Sequence, residues 1–254
     1  MALTPISSKQ ILPTMYDLPS ESPEDPGLPD EFHLWQPQLL SKTFRPKTYP
    51  LEHVFTASDL NLYYDSQRTH LYKRPDWFAV VGVPHLLDNG RLSYVVWQEG
   101  RSPIVVVELL SSSTIESDQG RDQRGGDIPS KWEVYESLLR VPYYVLFDRL
   151  AASFQLFRLE GASYRPLKEP TLWIPTLEIG LGLWQGSFEG VERLWLRWFD
   201  ETGWIPTPEE EANERAIQAE QRAMQAEQRA MQAEQKAARL AEQLRALGVD
   251  PAEA

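Results

Sequence analysis

The chain of 254 residues contains no cysteine, which excludes disulfides and thiolate-held metals. It has no apolar run near the ~18 residues that a membrane-spanning helix needs. It lacks a surplus of basic charge: 25 Lys and Arg stand against 37 Asp and Glu, for a net charge of −12. The segments 1–50, 51–208 and 209–254 are each net acidic, so general binding to a polyanion is expected to be weak, which counts against a DNA-coating role. An enzyme whose acids are masked by a bound metal stays open. His33, His53, His70 and His85 show no metal-ligand spacing. Ser111-Ser112-Ser113 has no paired base and no Gly-x-Ser-x-Gly elbow exists, while Gly180-Leu181-Gly182 is too short for a dinucleotide fingerprint. Met1 to Lys9 shows no basic stretch leading into an apolar run, so the expected address is cytoplasmic.

What is present is a chain of uneven composition. Residues 1–50 are rich in Pro, Ser and acids, which favours an extended arm, with Phe32, Leu34, Trp35, Leu39 and Leu40 able to lie against a domain. Hydrophobic residues make up 42% of the chain, enough for a core, and β signals begin near residue 51. Strands are expected at 60–64, 76–83, 92–98, 104–110, 143–148 and 154–159. A polar, Gly-rich loop follows from Ser111 to Ser130, then a helix from Lys131 to Leu139 capped by Ser130 and ended by Pro142. Strands broken by one helix imply an α/β or α+β sheet domain over residues 51–205. Its close is a Trp-rich hairpin region from Trp173 to Trp204.

Residues 206–248 form a different object, with 249–254 as a tail. Thr207-Pro208-Glu209-Glu210 reads as a helix start and Gly248 as its stop. Residues 209–247 would span roughly 58 Å as a helix. Ala212, Ala216, Ala219, Ala223, Ala226, Ala230, Ala233, Ala237, Leu240, Leu244 and Leu247 repeat in alternating steps of four and three, the period of a coiled coil. Alanine buries little area, so a homo-oligomer through this helix and a solitary rod are both open.

Two acids stand at strand ends. Asp76 leads into Trp77-Phe78-Ala79-Val80-Val81, and Glu108 closes Ile104-Val105-Val106-Val107. Burying an unpaired carboxylate costs several kcal/mol, so two beside Val-rich runs suggest adjacent strands presenting oxygens to one Mg²⁺. Asp76 after Pro75 also suits an ordinary turn, and Glu108 could simply pair with an arginine. Lys73, Arg74, Arg121, Arg124 and Arg140 could touch phosphates or be solvated charges.

The strings Arg74-Pro75-Asp76, Pro103 to Ser111, then Thr114, Asp118, Lys131 and Tyr135, followed by Val141-Pro142-Tyr143-Tyr144-Val145 and Phe147-Asp148, resemble the Uma-type restriction endonuclease family of the PD-(D/E)XK nuclease superfamily. The resemblance covers roughly residues 55–200. It implies a restriction-endonuclease-like central mixed sheet flanked by helices, and a Mg²⁺- or Mn²⁺-dependent endonuclease acting on DNA. Asp76 matches the metal-binding aspartate and Glu108 the second carboxylate, with the backbone carbonyl of Leu109 as a further metal ligand. The superfamily's lysine two residues after the glutamate is replaced by Leu110, and Lys131 matches a lysine moved to the next helix. Asp118 lies 13 residues before Lys131, and Asp127, four before it, is separated from it by Pro129, so the role of either is open. Glu52, Asp59 and Asp65 are candidates for an upstream third acid. The rival reading is a decayed nuclease-fold module that works as a scaffold through its coiled-coil tail.

Overall fold

The computed structural model of the chain describes residues 30–87, 90–110, 128–149 and 151–246. Two compact units emerge, Met1–Ile205 and Pro206–Ala254. Among the described residues no helix is long and apolar enough to cross a membrane.

The first unit is built on a six-stranded mixed sheet. Its strands are β1 (Val54–Ala57), β4 (Trp77–Val81), β6 (Val105–Leu109), β7 (Tyr143–Asp148), β8 (Ser153–Glu160) and β9 (Ser163–Pro166), in that spatial order. The β6–β7 pair is parallel and the remaining pairs are antiparallel. All five residues of β4 and all five of β6 are buried, as expected of central strands covered on both faces.

Strand alternation divides these residues between two cores. Trp77, Ala79, Val105, Val107, Leu109, Val145 and Phe147 face helix α1 (Glu31–Thr43) and a four-stranded sheet of β10 (Leu172–Ile174), β11 (Ile179–Phe188), β12 (Val191–Asp200) and β13 (Gly203–Trp204). Phe78, Val80, Val106, Tyr144 and Leu146 face the other way. There they meet the helix that begins at Lys131. A small sheet of β2 (Leu62–Tyr63), β3 (Tyr72–Lys73) and β5 (Tyr94–Val95) completes that side.

Three expectations are corrected. The arm expected to be extended contains α1: Asp30 caps it by accepting from the His33 amide, and Phe32, Gln36, Leu39, Leu40 and Thr43 fall on one buried face. Gln36 donates to the Leu196 carbonyl and accepts from the Leu196 amide, both at 2.8 Å, so tertiary contact overrides the unfavourable Pro37. The strand expected at 92–98 stops after Val95 and gives way to a one-turn helix α2 (Val96–Glu99), closed by Gly100 in the left-handed region at φ 74°. The helix expected over 131–139 is α-helical only in α3 (Lys131–Glu133) and continues as a π-turn, Val134–Leu138. The π-turn closes with the Leu139 amide on the Val134 carbonyl at 2.8 Å.

The second unit contains one helix of 39 residues, α4 (Pro208–Ala246). Its start is a capping box. The Glu210 amide donates to Thr207 Oγ1 at 3.2 Å, and the Thr207 amide to Glu210 Oε2 at 2.7 Å. Gly248, the expected stop, lies outside the described residues, as do Asp118, Asp127, Arg121 and Arg124.

Candidate active site

The antiparallel register of β4 and β6 pairs Trp77 with Val107, which sets Asp76 opposite Glu108 where the two strands end. Both side chains fall on the face away from Trp77, so the strand period alone brings the carboxylates to one place. They brace one another through the backbone. The Asp76 amide donates to Glu108 Oε2 at 3.2 Å, and the Leu109 amide donates to Asp76 Oδ2 at 2.6 Å.

Glu108 is fully buried, and its charge is met by protein donors on both oxygens. Lys131 Nζ lies 3.0 Å from Oε2, and Tyr135 Oη donates to Oε1 at 2.9 Å. A buried carboxylate survives only in such company. Lys131 and Tyr135, four apart, share one face of the helical segment and both address Glu108.

Asp76, Glu108 and Lys131 are therefore brought together by three elements. The Leu109 carbonyl accepts from His33 Nε2 at 3.1 Å, while His33 Nδ1 lies 2.8 Å from Asp30 Oδ1. That carbonyl retains a second lone pair. The upstream acids do not join. Asp59 pairs with Arg74 at 2.5 Å, Asp65 pairs with Arg68 at 2.7 Å, and Glu52 sits exposed on a 3-10 turn. Among the described residues no group of three or more His, Cys, Asp or Glu is placed to hold a metal. Two carboxylates and a carbonyl are hard oxygen donors. Mg²⁺ typically takes one or two carboxylates and completes its shell with water and phosphate, so the donor set fits that ion or Mn²⁺.

Two participants escaped the sequence reading. Tyr135 stands in the family strings with no role assigned, and the signal for one is its four-residue spacing from Lys131. His33 looked like a lone histidine, and nothing local links it to Leu109, 76 residues away.

A crystal structure titled "putative nuclease belonging to DUF820", from Anabaena variabilis ATCC 29413, is similar at 14% identity over 50% of this chain, with a TM-score of 0.28. The match spans 61% of that protein's chain. No curated protein matches. The Uma2 family model, described as "Putative restriction endonuclease", matches residues 13–189, and the chain belongs to that family.

Proposed function

We propose that the protein is a metal-dependent endonuclease that hydrolyses phosphodiester bonds of DNA. The observation that carries this is the constellation at the ends of β4 and β6: two carboxylates braced through each other's backbone, with an ammonium on one of them. Family membership supports the same reading. Asp76, Glu108 and the Leu109 carbonyl would hold Mg²⁺ or Mn²⁺. Bound there, the ion would lower the pKa of a water and offset charge on the phosphate.

The chain's own residues do the rest. Lys131, fixed by Glu108, presents a cation that orients the attacking water and stabilises charge building on phosphate oxygens. Tyr135 holds Glu108 in one rotamer, so the Lys131 ammonium stays in register with Asp76. The water-facing acid is Asp76, which is half-buried, whereas Glu108 is sealed.

Supercoiled plasmid is the test. The wild-type chain is expected to nick it with Mg²⁺ or Mn²⁺ and to stop with EDTA, and Asp76→Ala, Glu108→Ala and Lys131→Ala are each expected to lose activity. Nicking that survives Asp76→Ala overturns the assignment. One observation favours a second reading, a non-cleaving scaffold that works through α4: both Glu108 oxygens already have protein donors, which a metal must share. No cleavage with any divalent ion, together with loss of partner recruitment on removing 209–254, would select it.

A further inference from the structure

The structure sorts the cations that flank the site. Arg74 is spent on Asp59, and Arg140 donates to the Gly161 carbonyl at 2.7 Å. Lys73 is different. It ends β3, three residues before Asp76, and its Nζ donates to the Pro129 carbonyl at 2.7 Å. Pro129 precedes Ser130, the cap of α3, so this bond ties β3 to the turn that delivers Lys131.

An ammonium has three donors, and Pro129 takes one. Among the described residues nothing else accepts from Lys73. The side chain is half-buried, so its remaining donors keep partial access to the solvent side of the site. We propose that Lys73 is a second phosphate contact of the site, donating to a non-bridging oxygen of a DNA backbone phosphate beside the one served by Lys131. This rests on the reading of the site as one that acts on DNA.

The electrostatics agree. Burial pushes the Lys73 ammonium below its ordinary pKa, and repulsion from Lys131 pushes the same way, while Glu108 and Glu133 pull back. An anion placed between two ammonium groups relieves that repulsion. Lysine suits the task because its charge is compact and its stem adjustable. A local pair of cations also explains how a chain of net charge −12 can engage a polyanion at one place without doing so over its whole surface.

The test is the salt dependence of binding. Affinity of the full chain for a fluorescent DNA duplex is measured by anisotropy in Ca²⁺, across a range of salt, for wild type, Lys73→Gln and Lys73→Arg. Glutamine keeps a donor toward Pro129 but no charge, and arginine keeps the charge. The slope of log K against log salt is expected to fall in magnitude by about 0.9 for K73Q and to stay at the wild-type value for K73R. A residue that only tethers the helix leaves that slope unchanged. An unchanged slope in K73Q, with wild-type plasmid nicking intact, overturns the Lys73 contact and leaves the nuclease reading standing. A wild-type chain that binds no DNA overturns both. Should K73Q not fold, Lys73→Met takes its place, with the same expected fall of about 0.9 in the slope and the same overturning result, an unchanged slope.

Discussion

Glu108 is the residue on which the site balances. It is buried completely, and its oxygens face Lys131, Tyr135 and the Asp76 amide. Removing one partner of a buried ion pair strands the other charge, which costs about 3–5 kcal/mol. Lys131 keeps 19% exposure, so Lys131→Met is expected near the low end, about 3 kcal/mol by urea unfolding, together with loss of nicking. Tyr135→Phe removes one donor to a charged acceptor and is expected to cost about 1.5–3 kcal/mol, with a smaller loss of activity than Lys131→Met because the ammonium remains. Glu108→Gln should make the two changes nearly silent in stability, since the stranded charge is gone; a double-mutant cycle reads this coupling. Asp76 and Glu108 stood out in the sequence as carboxylates beside Val-rich runs, but it was the family resemblance that joined them into one expected site. Tyr135 did not stand out, because only its spacing from Lys131 hints at a partner that lies 27 residues upstream on another element.

Elements followed their periods where one face is buried and departed from them where a distant partner intervened. β7 forms over the expected residues, Tyr143–Asp148, and α4 begins at Pro208 behind the expected Thr207 cap. α1 was illegible because its helix is stabilised by β12, some 160 residues downstream, through Gln36. Gly180 and Gly182, too short a motif for a nucleotide loop, have a packing reason instead. They sit in β11, where a Cβ at Gly180 would lie 2.3 Å from the Phe199 ring and 2.8 Å from the Leu172 carbonyl. The ring can turn but the carbonyl belongs to the neighbouring strand, so Gly180→Ala is expected to destabilise by about 1–3 kcal/mol, read as a lowered urea midpoint. The tail helix carries a further pattern. Ile217, Met224 and Met231 are exposed at seven-residue spacing, each one position after Ala216, Ala223 and Ala230 of the alanine seam. At about 100° per residue they stand roughly 100° round the helix from those alanines, a separate stripe that offers the apolar area alanine lacks. Sedimentation equilibrium is expected to show weak reversible self-association of the full chain, and replacement of Ile217, Met224 and Met231 by Gln to abolish it with helicity unchanged by circular dichroism.

For the molecule as a whole, the acid charge makes stability a function of pH, and particular carboxylates set its lower limit. Burial alone would raise the Asp30 carboxyl, but hydrogen bonds from the His33 side chain and amide, with the charges of His33 and Arg149, bring it below its ordinary value. Asp200 behaves likewise: burial opposes, while Thr202 and Lys47 lower it. Both acids tie distant parts of the first unit together. Asp30 joins the start of α1 to Arg149 after β7, and Asp200 at the end of β12 meets Lys47 at 3.1 Å. A carboxylate whose folded pKa is depressed binds protons more readily in the unfolded chain. Its contribution is therefore full above the unfolded value of about 3.9 and is lost as pH falls through the lower folded value. Thermal unfolding is thus expected to hold a steady midpoint down to about pH 5 and to drop steeply below about pH 4. The double variant Asp30→Asn, Asp200→Asn should have a lower midpoint at neutral pH and a shallower acid limb, so that the two curves converge toward pH 2. Parallel curves, with the same acid slope in both proteins, would show that other acids set the limit.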